Sequence, residues 1–145
     1  MAEIEMTIDS VRRGLLGNQH VVILKEKLTE RYLLIYIDPS QADVMKRELM
    51  GIGSPRPAHF DLSLDGVDIE NFEPVSVIIN RFEDNNFYAK LLLKHGNESR
   101  EVECLPAEAL AFGIRKGLSI LVEAEVLDKA GIDVDIANKV GDKNH

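Results

Sequence analysis

The sequence predicts an α+β protein, a single domain built from two similar β-β-β-α-α halves. Apolar runs of strand length are punctuated by turn residues, and two amphipathic helices each open on a proline. The two strand-and-helix units also recur at a fixed offset of 67 positions, the separation of Pro39 and Pro106.

The clearest signal lies between Glu30 and Met50. Tyr32 to Ile37 is an apolar run of strand length that Asp38-Pro39 ends. Pro39 suits a first helical position, where a missing N–H is not needed, and Asp38 can accept from the orphan amides. Gln41 completes a capping-box spacing, and Ala42, Met45, Leu49 and Ile52 make one apolar helix face. Under the shift, Cys104 to Ala109 falls on Ile37 to Ala42 without a gap, Leu24 meets Leu91, and Ile35 meets Val102. The period exceeds that of solenoid repeats, so the expectation is one domain with two halves.

The remaining elements follow in order. Ile4, Met6 and Ile8 alternate with polar residues as in a half-buried strand, Gly14 to Asn18 makes a turn, and Val21 to Leu24 reads as a central strand. The stretch GIGSPRP breaks the chain without the spacing of a phosphate loop. Pro57 at a first-turn position favours a short helix between Ala58 and Asn71. Strands are expected at Val75 to Ile79, Phe87 to Leu93 and Ser99 to Cys104, with turns at Glu83 to Asn86 and at His95-Gly96-Asn97. The second Pro-opened helix should bury Ala107, Leu110, Ala111 and Ile114, with Gly113 marking close packing against another backbone. A strand at Ser119 to Val122 leads to a helix from Glu123 to Ala130, stopped by Gly131. The domain is expected to span 1–131, and 132–145 to form a partly disordered tail.

Composition narrows the function classes. A chain of 145 residues can bury a sizeable core, and its 45% hydrophobic and 29% charged content is that of a soluble globular domain. No apolar run approaches the ~18 residues of a membrane span, and the acidic, alternating amino terminus does not resemble a signal peptide. A cytoplasmic protein without a membrane partner is expected. Cys104 is the sole cysteine, which excludes an internal disulfide and a Cys-based zinc site and favours a small buried apolar role. The net charge of −8 argues against a broad nucleic-acid face. It allows weak, salt-sensitive association through a few arginines and bound metal ions.

The segments HVVILKEK, ERYLLIYI, RPAHFDL, NNFYAKLLL, CLPAEALAFGIRKG and SILVEAEVLDKAG, together with the first Pro-opened helix, resemble in order the bifunctional nuclease (BFN) domain family. The likeness covers residues 3 to 131. It implies an α+β domain of two similar halves, often a homodimer, with nuclease activity on DNA and RNA. The family's Arg-Pro, His and Asp fall on Arg56, Pro57, His59 and Asp61, and its aromatic pair on Phe87 and Tyr88. This chain departs from the pattern in three places. A usual glutamate is Gln41, the usual Arg before the second proline is Leu105, and Ser-Asp after that proline is Ala107-Glu108.

Phosphodiester hydrolysis needs an activated water, stabilised phosphoryl charge and help for the leaving oxygen. Asp61 and Glu108 are the candidate ligands for Mg²⁺ or Mn²⁺, His59 the candidate general base or acid, and Arg56 the candidate phosphate clamp. Each also has a plainer reading. On a helix His59 and Asp61 would face different ways, Arg56 suits a solvated loop, and Glu108 suits a first helical turn through the dipole alone. Tyr32, Tyr36, Phe87 and Tyr88 could stack bases or simply fill a core. The alternative function is a non-catalytic protein-interaction or ligand-binding member of the same fold, favoured by Gln41, Leu105, Ala107 and the negative charge.

Overall fold

The computed structural model describes residues 2–13, 19–51 and 72–132. Three strands come first, β1 (Glu3–Arg13), β2 (His20–Glu26) and β3 (Tyr32–Ile37), followed by helix α1 (Pro39–Leu49). Strands β4 (Glu73–Glu83), β5 (Asn86–His95) and β6 (Glu98–Cys104) then lead into α2 (Pro106–Lys116), β7 (Ser119–Glu123) and α3 (Ala124–Ala130). The expected turn at Gly14 to Asn18, the short helix at Ala58 to Asn71 and nearly all of the tail lie outside the described residues.

All seven strands form one sheet in the order β3-β2-β1-β7-β4-β5-β6. Each set of three strands is an antiparallel meander, and β7 joins the sets, antiparallel to β1 and parallel to β4. The last strand among the described residues is thus the central strand of the sheet. It also separates α2 from α3, so the second set does not run directly into two consecutive helices.

Alternation along the strands explains the core. Ile4, Met6, Val22, Leu24, Leu33, Ile35, Val77, Ile79, Leu91, Ile120 and Val122 share one face through the observed register. Ala42 and Met45 of α1, Leu110 and Phe112 of α2, and Val126 and Leu127 of α3 belong to the same cluster, so all three helices pack on that face. A leucine such as Leu24, Leu33 or Leu91, fully buried here, contributes roughly 1.5–3 kcal/mol relative to an exposed position. Val21, Ile23 and Ile78 point to the opposite face and are buried as well.

Two local expectations are corrected. The buried face of α1 is Ala42, Met45 and Glu48, while Leu49, expected inside, is exposed. Glu48 turns inward because Arg115 of α2 meets its carboxylate, Nε to Oε2 at 3.5 Å. Gly113 does mark a close approach, but to a side chain: a Cβ there would lie 2.8 Å from Val77 Cγ2. Alternating small residues let α2 settle onto β4 and β5, so Ala109, Phe112 and Gly113 are buried beyond the expected stripe.

Buried Glu26 accepts from Thr29 Oγ1 and from Arg31 Nε at 3.1 Å, and Arg31 Nη1 reaches Asp128 of α3 at 3.4 Å. This ties the β2–β3 loop to the last helix. Ile132, the first residue of the expected tail, exchanges two backbone hydrogen bonds of 2.8 Å with Tyr32 at the sheet edge. Among the described residues no helix is long and apolar enough to cross a membrane.

Candidate functional site

The strand-to-helix corners before α1 and α2 open on one cleft of about 320 Å³. At the first corner, Asp38 is extended and caps α1: its Oδ1 accepts from Gln41 N–H at 2.8 Å, and Gln41 Oε1 accepts from Asp38 N–H at 3.0 Å. The capping box read from the sequence is therefore closed in both directions. The Gln41 amide, then Ser40 Oγ at 2.8 Å, hold the Asp38 carboxyl below its ordinary range.

At the second corner Leu105 is the N-cap of α2, and no side chain caps that helix. Gly117 in the left-handed conformation ends it, with Leu118 N–H donating to Gly113 C=O at 2.9 Å. The third wall is the β4–β5 turn. Asp84 and Asn85 take φ of 53° and 65°, the arrangement of a two-residue hairpin turn that asparagine and aspartate tolerate. Asn86 Nδ2 donates to Asp84 C=O at 3.2 Å and so fixes its own amide.

The two helices share their direction. Gln41 and Pro106 line this cleft near the helix starts, and Leu49 and Gly117 line a second hollow of about 360 Å³ near the helix ends. Both helix N-termini, with their partial positive charge, therefore lie by the first cleft. Among the described residues that line it, Gln41, Asn85 and Asn86 are polar, and Ile35, Phe87 and Leu105 are apolar. None of these carries a formal charge.

Gln41, Leu105 and Ala107, three positions at which the sequence departs from the pattern it resembles, all line this one cleft. Nothing in their spacing along the chain announces that convergence; Asn85 and Asn86, legible as a turn, offered no signal of a site. Tyr36, legible as a possible stacking residue, borders the cleft, but it pairs with Val21 and so sets its half-exposed ring on the sheet face away from the helices.

The candidate catalytic residues fare differently. Arg56, His59 and Asp61 lie outside the described residues. Glu108 is exposed in the first turn of α2, where an acid favours the helix dipole, and does not line the cleft. Its charge is felt by Cys104, whose thiol is pushed up to about 12, first by burial and then by Glu108 and Glu103. Among the described residues no three His, Cys, Asp or Glu side chains stand together as a cation site. Glu108 by itself does not make one.

A seven-stranded mixed sheet with the described helices on one face defines an α+β domain. Residues 22–135 match the sequence profile of the Bifunctional nuclease domain, and the chain belongs to that family. It is 31% identical over 128 residues to an uncharacterized protein of Mycobacterium tuberculosis strain CDC 1551 / Oshkosh, covering 88% of this chain and 76% of that protein. The same figures hold for an uncharacterized protein of a second strain of that organism.

Proposed function

We propose that this protein cleaves phosphodiester bonds in DNA and RNA, with Mg²⁺ or Mn²⁺ as cofactor. Family membership is the observation that carries the reading. In it His59 is the general base or acid, Arg56 the phosphate clamp, and Asp61 with Glu108 the ligands of the divalent ion. A net charge of −8 goes with weak, salt-sensitive binding of nucleic acid. The working form is a cytoplasmic homodimer. Each subunit is a duplication of one strand-and-helix unit, a reading supported by α1 and α2, which start and end at the same 67-position offset (39–49 and 106–116).

The test is cleavage of single-stranded DNA and RNA by highly purified protein, with Mg²⁺ or Mn²⁺ and with chelator. His59→Ala and Asp61→Ala are each expected to lower the rate by about 100-fold or more. Activity that survives both substitutions and chelator rules the reading out.

One observation favours a second reading, a member of the family that binds a ligand without cleaving it. The cleft is lined by uncharged groups at Gln41, Leu105 and Ala107, where the resembled pattern has an acid, a guanidinium and a hydroxyl. Absence of cleavage alongside saturable binding at this cleft selects it.

A further inference from the structure

The two edges of the sheet differ. At β3 the chain itself takes part of the edge, through the two backbone bonds between Tyr32 and Ile132. At the other edge β6 pairs, among the described residues, with β5 alone. Its seven residues include no proline and its register with β5 runs without a bulge, so two common ways of blocking an edge are missing. Counted from the two-residue Gly96-Asn97 turn, Ser99, Glu101 and Glu103 are the residues whose N–H and C=O point away from β5. All three are exposed, so a straight row of backbone donors and acceptors is open to pairing.

Side chains decide what can use that row. Glu101 and Glu103 register with Leu92 and Lys90 on the face away from the helices, while Val102 registers with buried Leu91 and stands half-buried on the helix face. Glu101 accepts from Lys90 Nζ at 3.0 Å and Glu98 from Arg100 Nη2 at 3.2 Å, whereas Glu103 has no cation partner among the described residues. Three glutamates against one arginine make the strand acidic. An antiparallel second copy of β6 centred on Arg100 or on Glu101 would set that residue against itself, and one centred on Val102 would set Glu101 against Glu103. We infer that β6 is a docking edge for an extended cationic segment of another protein, which adds to the sheet as a further strand with Lys or Arg opposite Glu101 and Glu103 and an apolar residue opposite Val102. The acids that turn away a second copy attract this partner, so one set of charges both excludes and selects.

The experiment is a titration of the full chain with a capped peptide of about seven residues that alternates lysine and valine, the strand length and pattern that fit β6, read by backbone amide NMR and hydrogen exchange. At saturation the amides of Ser99, Glu101 and Glu103 are expected to exchange at least about tenfold more slowly, while those of Arg100 and Val102, already bonded to β5, change less than about twofold. Binding should weaken by about tenfold between about 50 and about 500 mM salt. The same peptide with glutamate for lysine, or with its amides N-methylated, should bind at least about tenfold more weakly. Glu101→Lys combined with Glu103→Lys is expected to weaken binding of the lysine peptide by about tenfold or more. Glu101→Pro removes an N–H that points away from β5, so it keeps the ladder and the fold while lowering affinity by about tenfold.

No slowing of exchange at these three amides, or binding that is unchanged in both variants, overturns the inference. Equal affinity for the lysine and glutamate peptides overturns it as well. None of these outcomes involves cleavage, so failure here leaves the nuclease reading untouched.

Discussion

Glu48 of α1 and Arg115 of α2 form an ion pair across the two helices, and the Glu48 side chain is 5% exposed. The pair sits near the helix ends, away from the cleft that the helix starts line. Arg115→Ala leaves a buried carboxylate without that guanidinium and is expected to cost about 1–3 kcal/mol. Glu48→Leu removes the buried charge itself and should cost less, or stabilise. Urea unfolding of the two variants checks the order, and a harmless Arg115→Ala would refute the link.

Gly113→Ala tests the closest approach of α2 to the sheet. Alanine favours a helix by about 1 kcal/mol over glycine, yet its Cβ would meet Val77 Cγ2 at 2.8 Å in a site with no exposure. Valine is stiff at χ1, so the clash should win, with a net loss of roughly 1–3 kcal/mol. In the Val77→Ala background the same change should be neutral or favourable. Additive losses in the double variant would count against the contact.

Asp38 governs an acid-sensitive contribution. Its folded carboxyl titrates below the ordinary 3.8 because the Gln41 amide and Ser40 hydroxyl favour the charged form. The stability it adds is therefore present above pH 3.8 and is lost as the pH falls through that value and the lower folded one. Asp38→Asn retains a cap without the charge and should flatten this part of the pH profile, while Asp38→Ala should lose about 0.5–2 kcal/mol at neutral pH. Thermal melts between about pH 2 and about pH 7 measure both.

Cys104 should be a poor nucleophile. With its thiol raised from 9.0 to about 12 by burial and two nearby glutamates, the thiolate fraction at mildly alkaline pH falls about a thousandfold. Alkylation of the folded protein is expected to be at least about a hundredfold slower than in denaturant. Equal rates would show that the thiol is exposed.

Much of the local structure was legible because it depends on neighbouring residues. The Asp38–Gln41 capping box and the Tyr32–Ile37 strand come out as read, since caps and alternation are short-range effects. Leu49 and Glu48 show the limit. Hydrophobic periodicity puts leucine inside, but a partner 67 positions away, Arg115, decides which of the two adjacent residues turns inward. The Gly113 contact was legible as closeness, but not as closeness to Val77.

By itself, then, the amino-acid order determined an α+β chain, most of the strands and helices, the cap of α1, and the family resemblance. Tertiary structure alone decided that β7 enters between β1 and β4, and that Gln41, Asn86 and Leu105 line one cleft. The reason is physical: capping and alternation act over a few residues, whereas strand order and convergence depend on which distant surfaces bury each other.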